Sequence, residues 1–339
     1  MIDNLGCLDA AGVLVGTSYP TYRERIAGLP MPKTYVFRGA FSFFSSSACV
    51  TLDDKLVAPP NFDNLHAPAH SSSLEALIQR SQTVPEVRLP NQKLCLLTAS
   101  WSELNIYHCY IDTIGKLSVL SQFCDIKSFT YLIPSTSSIT AQVFNILDLP
   151  VIGYDSRQTK YTANDLTVVS LPGVTSKPSA GLMSYLSHLM DAIPPSPFKR
   201  NVYVKRLKRG IENEAPLLNL IEKYLDFEVV LLEEMPLRDQ VSIIRDSGIV
   251  FGPHGAGFAH TAFKKSGTLF EIFGPDYANP PYKNMHSQSC VNYLAYFPSD
   301  NLPEKYGKIV HQNMLPNFTV DIDRFERFFL DNLEKMLSF

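Results

Sequence analysis

A glycine-rich segment near residue 250 is the first place where the sequence indicates chemistry. Residues 248–260 read GIVFGPHGAGFAH, an apolar strand-like run that enters a turn containing Gly252, His254, Gly255, Ala256 and Gly257. Glycines let backbone N–H groups approach a ligand closely, and a helix start carries unpaired donors and partial positive charge that suit a phosphate. An ordinary strand-to-helix turn would look the same. However, His254 has few apolar neighbours within the turn, which favours contact with a pyrophosphate or a leaving group.

Basic and acidic residues extend this predicted phosphate site. Arg206 and Arg209 belong to a basic cluster over residues 205–209. Such clusters are usually solvated, but this one follows a predicted strand, where phosphates bind in α/β folds. Glu271 ends a later strand nineteen residues after Gly252 and imitates the ribose-binding acid of a dinucleotide fold. We therefore predict that both arginines and Glu271 contact a nucleotide.

A histidine and an aspartate in the first half of the chain could supply a general base. His108 and Asp112 are four residues apart and so share one face of a helix. A carboxylate one turn away can hold an imidazole in one tautomer and raise its basicity, although an exposed ion pair would show the same spacing. Because the pair follows a predicted strand, we interpret it as catalytic. The alternative is that Asp112 or Glu103 is the base and His108 only binds the acceptor.

Alternating strands and helices are predicted to position these residues. Strands are predicted over 94–98, 129–133, 151–154, 201–206, 227–232, 249–251 and 268–273. Helices are predicted over 105–120, 139–147, 182–190, 237–245 and 322–337, with further helical turns near Pro216 and after Gly257. This α/β pattern indicates two Rossmann-like halves in tandem, whose ligand crevice lies at the carboxyl ends of the strands.

The chain is predicted to have four parts. Residues 1–92 form a β-rich extension packed on the first domain, with strands at 34–38 and 48–52 and a hairpin turn at 53–55. Residues 93–195 form an N-terminal Rossmann-like acceptor domain, and residues 196–315 form a C-terminal Rossmann-like donor domain. A proline-rich linker lies at 194–199, and residues 316–339 form a closing amphipathic helix.

Composition excludes several classes of protein. Thirty Lys and Arg against thirty-three Asp and Glu give a net charge of -3, which disfavours sequence-independent nucleic-acid binding. No apolar run reaches the roughly twenty residues that span a bilayer, so we expect no signal peptide or integral membrane segment. Six cysteines without CxxC spacing favour free thiols in a reducing, cytoplasmic setting. The scattered histidines show no metal-ligand spacing, so no metal is expected.

Several segments together resemble glycosyltransferase family 61. The carriers are VYVKR at 202–206, IENE at 211–214, LRDQ at 237–240, VFGPHGAG at 250–257, and Phe263 with FE at 270–271. The segment NIYHCYID at 105–112 resembles the family's Asn-Tyr-Tyr-His-Trp motif, with Cys109 in place of Trp. His260 stands where the family commonly has Asn. The resemblance covers roughly residues 93–275 and includes plant xylan xylosyl- and arabinosyltransferases and animal O-linked N-acetylglucosaminyltransferases.

The resemblance implies a GT-B fold, in which two Rossmann-like domains face a central crevice. It also implies an inverting, metal-independent transfer of a sugar such as xylose, arabinose or N-acetylglucosamine, with a nucleoside-diphosphate sugar, UDP-linked, as co-substrate and no cofactor. The acceptor would be a glycan or a lipid-linked saccharide, as in a bacterial or viral cytoplasmic enzyme that is soluble or peripheral to a membrane. Site residues carried over are His260 on the donor side and Trp101, Asn105 and Tyr107 on the acceptor side.

Two other function classes stay open on the sequence alone. Glu271 keeps a nicotinamide-dependent oxidoreductase as an alternative, although the turn is not G-x-G-x-x-G and residues 94–110 contain no glycine. A noncatalytic glycan-binding protein that has kept the fold is the third possibility. Stabilisation by UDP or GDP, by NAD, or by neither would discriminate among the three.

Overall fold

The computed structural model describes residues 5–7, 34–44, 49–52, 55–57, 83–97, 105–155, 159–169, 172–173, 177–196, 201–275, 281–298 and 316–338. The chain divides into two compact units, Met1–Pro178 and Ser179–Phe339. Each unit contains a sheet with parallel strands and helices, so the predicted mixed α/β class is confirmed at that level. The border lies upstream of the predicted linker at 194–199, and the four-part division of the chain stays a prediction.

The first unit is built on one sheet of nine described strands. They are β1 Leu5–Cys7, β2 Thr34–Phe44, β3 Cys49–Leu52, β4 Lys55–Val57, β5 Glu86–Arg88, β6 Leu94–Leu96, β7 Thr130–Pro134, β8 Val151–Tyr154 and β9 Lys160–Val169. The main order is β4-β3-β2-β9-β6-β7-β8, with β1 beside β2 and β5 beside β9. Strands β9, β6, β7 and β8 run parallel, whereas β2 is antiparallel to β9.

Helical segments connect the parallel strands of this unit. After β6 come α1 Ile106–His108, a π-helix at Cys109–Ile114 and α2 Lys116–Leu120; after β7 comes α3 Ser138–Ile146. The helices predicted over 105–120 and 139–147 are thus confirmed, although a π-helical stretch interrupts the first. In that stretch the Gly115 N–H donates to the Tyr110 carbonyl at 2.8 Å, an i→i+5 bond. The two predicted N-terminal strands fall on β2 and β3, and β3 pairs antiparallel with β4.

Strand β9 is the main element of this unit that the sequence analysis did not predict. Its sequence, KYTANDLTVV, interrupts the apolar pattern with Asn164 and Asp165. Nevertheless, Leu166 and Val168 are fully buried. The strands that pair with β9 come from distant parts of the sequence: β2 on one side, and β5 and β6 on the other. The strand is therefore stabilised by tertiary pairing that a local pattern does not reveal.

The second unit contains a sheet of five described strands, all parallel. They are β10 Asn201–Val204, β11 Phe227–Val230, β12 Ile249–Pro253, β13 Gly267–Ile272 and β14 Val291–Tyr296, in the order β11-β10-β12-β13-β14. Along the chain β10 is followed by β11 and then by β12, but in the sheet β11 and β12 lie on opposite sides of β10. The strand order therefore reverses between β10 and β12. Doubly wound sheets bind ligands at such a switch point, beyond the carboxyl ends of the two strands.

Helices surround this second sheet. They are α4 Ala180–Leu189, α5 Glu214–Ile221, α6 Leu237–Asp246, a 3-10 helix at Ala256–Phe263, α7 Pro281–His286 and α8 Ile322–Leu337. All except α7 correspond to predicted helical segments. Helix α8 packs aromatic side chains on the sheet: Phe325 and Phe328 each stack on Phe270, with ring centroids 5.9 Å apart. The helix begins only after its cap, Asp321, so residues 316–320 are available for another role.

Candidate active site

Arg206 and His254 lie side by side at the switch point of the second unit. Strand β10 ends at Val204 and strand β12 ends at Pro253, and the two strands pair directly. The Arg206 guanidinium donates a hydrogen bond to the carbonyl oxygen of His254. The structure therefore brings together two groups that the sequence analysis assigned to one phosphate site.

The glycines of the turn are explained by close approaches within the protein. A Cβ atom on Gly255 would lie 2.4 Å from Nη1 of Arg206. Gly252 has a φ of 145°, and a Cβ atom there would lie 2.6 Å from the carbonyl oxygen of Val204. A Cβ atom on Gly257 would lie 2.8 Å from Leu232. The glycines therefore allow Arg206, β10 and Leu232 to pack against the turn, and their predicted approach to a ligand stays a prediction.

The His254 ring is held from several directions. Its Nδ1 lies 2.7 Å from Oε1 of Glu271, and the Tyr293 hydroxyl donates to Oε2 of the same carboxylate at 2.6 Å. The ring also stacks on Phe273 with centroids 5.0 Å apart. Because an ionised carboxylate only accepts hydrogen bonds, Nδ1 carries a proton. The Glu271 side chain is 0% exposed and bonded through both oxygens. Glu271 therefore supports His254, and its predicted contact with a nucleotide stays a prediction.

His260 lies away from the turn, in the core of the second unit. Its Nε2 is 2.8 Å from Oε1 of Gln240, and the Gln240 amide nitrogen donates to the Met235 carbonyl oxygen at 2.8 Å. Because that second bond orients the amide, Nε2 of His260 carries the proton. Burial lowers the pKa of His260 to about 3, so the ring is neutral near pH 7. The structure thus gives His260 an anchoring position, and its assignment to donor contact stays a prediction.

A cavity of about 280 Å³ lies beside His254. Its lining combines polar and apolar side chains: Arg209, Glu212, His254, Ile272, Gly274, Pro275, Pro316, Asn317, Phe318 and Thr319. Arg209 has a φ of 58°, a left-handed conformation that is uncommon for residues other than glycine and that clusters at functional sites. Ligand sites typically combine an apolar lining with a few polar groups. The sequence analysis predicted Arg209 here but placed 316–319 in the closing helix.

Residues 316–319 are fixed against the loop that follows β10. The Gly210 N–H donates to Oδ1 of Asn317 at 3.0 Å, and the Thr319 hydroxyl donates to Glu212 at 3.1 Å. Ile211 and Phe318 form a parallel β-bridge. Residues 316–321 read PNFTVD, which has no pattern that identifies a partner. One wall of the cavity therefore comes from a segment that sequence reasoning missed.

His108 and Asp112 form a close pair in the first unit. Nδ1 of His108 lies 2.7 Å from Oδ2 of Asp112, and the side chains are 25% and 3% exposed. The carboxylate accepts a hydrogen bond from Nδ1–H, so the lone pair of a neutral ring is on Nε2. The pair spans the start of the π-helix, a rare element that is frequent at functional sites. The predicted pairing is confirmed, and the role as a base stays a prediction.

The predicted acceptor residues have different environments. Asn105 caps α1, since its Oδ1 accepts from the Tyr107 N–H at 2.9 Å. Tyr107 is buried and meets the His108 ring edge-on at 5.8 Å. Trp101 and Glu103 lie outside the described residues. Cys109 is a buried thiol 3.3 Å from the Thr140 hydroxyl, and burial raises its pKa to about 12.

The described residues contain neither a cluster suited to a metal ion nor a membrane-spanning helix. No three or more His, Cys, Asp or Glu side chains in the described part of the chain form a group that could hold a metal ion. In the same residues, no helix has both the length and the apolar character needed to cross a bilayer. Cys95, Cys109, Cys124 and Cys290 are free thiols.

Comparison with known proteins identifies similarity over the central part of the chain. Residues 106–270 match the family model for Glycosyltransferase 61. The chain is also 29% identical over 157 residues to the EGF domain-specific O-linked N-acetylglucosamine transferase of Drosophila melanogaster. That match covers 43% of this chain and 29% of the relative. The family match includes His108, Asp112, Arg206, His254 and His260.

Proposed function

We propose that this chain, which carries a glycosyltransferase 61 domain over residues 106–270, is an inverting, metal-independent glycosyltransferase. It would transfer a sugar from a nucleoside diphosphate to a hydroxyl group of a glycan acceptor. The observation that carries the proposal is the contact between Arg206 and the His254 turn at the switch point of a parallel sheet. Cationic and N–H donor groups at that place suit a diphosphate.

The second unit is the proposed donor site. Arg206 and the His254 turn would contact the diphosphate, and the adjoining cavity would hold the nucleoside, with Arg209, Glu212 and Thr319 as polar groups. Its volume of about 280 Å³ is near the lower end for ligand pockets. As the bond to the departing diphosphate breaks, negative charge grows on its oxygens. The Arg206 cation and the donors of the turn are suited to stabilise that charge.

The first unit would supply the base. In an inverting transfer the acceptor oxygen attacks the anomeric carbon from the side opposite the diphosphate. Nε2 of His108 would take the proton of the acceptor hydroxyl, while Asp112 stabilises the resulting imidazolium through Nδ1. The electron pair of the broken carbon–oxygen bond leaves with the diphosphate. We further propose a GT-B fold, because the family resemblance implies it.

The donor proposed first is UDP-N-acetylglucosamine, because the Drosophila relative is named for transfer of N-acetylglucosamine. UDP-xylose and UDP-arabinose follow from the resemblance to plant members of the family. The acceptor is proposed only as a glycan hydroxyl or a lipid-linked saccharide. The cytoplasmic setting is part of the same proposal.

Slow donor hydrolysis tests this function without knowledge of the acceptor. The protein is incubated with UDP- and GDP-linked sugars, and release of the nucleoside diphosphate is measured. We expect release from one donor, with loss of that activity in Arg206→Ala. Absence of turnover together with no stabilisation by any nucleotide would support a noncatalytic glycan-binding protein, and stabilisation by NAD alone would support the oxidoreductase.

A further inference from the structure

Three neighbouring strands of the second unit contribute to one chain of hydrogen bonds. His254 follows β12, Glu271 lies on β13 and Tyr293 lies on β14. Nδ1 of His254 lies 2.7 Å from one carboxylate oxygen of Glu271, and the Tyr293 hydroxyl donates to the other at 2.6 Å. Glu271 is placed by the sheet itself, since it pairs with Gly252 of β12 and with Ala295 of β14. The carboxylate is therefore fixed from both sides.

Burial makes this arrangement costly to disturb. The Glu271 side chain is 0% exposed and that of His254 is 11% exposed. A buried carboxylate is tolerated when it is hydrogen-bonded, and both oxygens have partners here. Phe273 stacks on the His254 ring at 5.0 Å and in turn stacks on Phe297 at 4.9 Å. The imidazole is thus restricted to one position and one tautomer.

We propose that Glu271 and Tyr293 are positioning residues that hold His254 with its Nδ1 proton on the carboxylate and its Nε2 toward the diphosphate of a bound nucleotide. This inference rests on the proposed function. To donate from Nε2 to a phosphate oxygen, the ring must take up a second proton when the nucleotide binds, and the carboxylate of Glu271 then balances the added charge, so that the hydrogen bond to the phosphate is charge-assisted. Arg206, Arg209 and Glu212 are the other charged groups at the turn and cavity.

Titration of the full-length protein with UDP and with uridine separates positioning from folding. Tyr293→Phe removes only the hydroxyl, whereas Glu271→Gln removes the charge and replaces one acceptor oxygen with an amide N–H₂ donor. We expect UDP to bind about threefold more weakly in Tyr293→Phe, which acts on His254 only through the carboxylate, and about tenfold more weakly in Glu271→Gln, which removes the charge next to the ring. Uridine, which lacks the diphosphate, should bind equally to all. Tyr296→Phe is the matched control, because its ring packs on Phe325 and Phe328 instead.

A double-mutant cycle tests whether the two residues act through His254. In a His254→Asn background, Tyr293→Phe should cause no further loss of UDP affinity. An equal loss in both backgrounds would overturn the inference, as would a parallel loss of uridine affinity. If the wild type binds UDP and neither variant changes its affinity, only this inference fails.

Nitrogen-15 spectra of histidine-labelled protein test positioning without any nucleotide. We expect the wild-type His254 ring to be protonated at Nδ1. In Glu271→Gln the Tyr293 hydroxyl should keep donating to the oxygen of the new amide, which turns the amide N–H₂ group toward His254. The N–H₂ group then donates to Nδ1, and the ring proton moves to Nε2. An unchanged tautomer would contradict the inference. If the wild type bound no nucleoside diphosphate, the proposed function would be refuted. The spectra would still show whether Glu271 and Tyr293 fix the tautomer of His254.

Discussion

Gly255 shows how one missing side chain places a cation at the switch point. A Cβ atom would lie 2.4 Å from Nη1 and 2.8 Å from Cζ of Arg206. Gly255→Ala should therefore displace the guanidinium, because the flexible arginine moves more easily than the backbone of the turn. We expect UDP affinity to fall by about tenfold, as for a lost charged hydrogen bond, with little change in thermal stability.

Calorimetric titration with UDP measures this effect. Gly173→Ala is the matched control, because a Cβ atom there would meet nothing within 4 Å. Unchanged UDP affinity in Gly255→Ala would show that the position of Arg206 is irrelevant to binding.

His108 is the proposed base, and its removal should affect the chemical step. With the donor identified by hydrolysis and a competent acceptor, His108→Ala should lower kcat by about 10²- to 10⁴-fold while UDP affinity is retained. Asp112→Asn should also lower kcat, because the amide carries no charge to stabilise the imidazolium and its N–H₂ group can donate to Nδ1, which moves the ring proton to Nε2.

Steady-state kinetics at saturating acceptor separate this role from acceptor binding. If His108 only binds the acceptor, His108→Ala will raise KM and retain most of kcat. In that case Asp112 or Glu103 becomes the candidate base.

Residue types at strand ends were enough to predict part of the site. Arg206 and His254 each follow a strand, and parallel strands bring their carboxyl ends to the same edge, so their proximity could be predicted. Tyr293 could not be found in this way, because its strand was not predicted. The environment of His260 was also not predictable. A histidine three residues after Gly257 can contact a ligand or lie in the core, and only its burial distinguishes the two.

The 3-10 helix after the turn and helix α7 each bury a neutral histidine. Burial lowers the pKa of His260 and of His286 to about 3. Both groups bind more protons when unfolded than when folded at pH values between about 3 and 6.5. The free energy of unfolding therefore has its full value above about pH 6.5 and decreases as the pH falls through this window. At pH 4.5 the second unit should lose about 2 kcal/mol per histidine relative to pH 7.

Urea unfolding at pH 7 and pH 4.5 measures this loss. His260→Gln removes one of the two groups and should reduce the pH dependence, whereas His188→Gln, at an exposed position on α4, should leave it unchanged. Equal pH dependence in wild type and His260→Gln would refute the assignment.

Elements were predictable where local pattern and tertiary pairing agree. Strands β6, β7, β10, β12 and β13 have short apolar runs bounded by turns, and the structure contains all of them. Strand β9 carries Asn164 and Asp165 and is fixed by distant neighbours, so its pattern did not reveal it. Strand β14 is separated from β13 by eighteen residues with several prolines and polar side chains, where the alternation could no longer be followed.

At the scale of the whole molecule, metal independence is the next prediction. The proposal assigns charge stabilisation to Arg206, His254 and the start of the 3-10 helix, so a divalent cation is not needed for the departing diphosphate. Turnover of the identified donor should be the same in EDTA and in buffer with magnesium or manganese. Activity that disappears in EDTA and returns with manganese would contradict this part of the proposal.

The central claim is that a nucleoside diphosphate binds at the switch point of the second unit. Its most direct test is calorimetric titration of UDP into wild type, Arg206→Ala and the control Lys208→Ala, which removes a nearby exposed charge. We expect Arg206→Ala to weaken binding by about 1.5 to 3 kcal/mol, as for a charged hydrogen bond, and Lys208→Ala to bind nearly as the wild type does. Equal UDP affinity in wild type and Arg206→Ala would contradict the account.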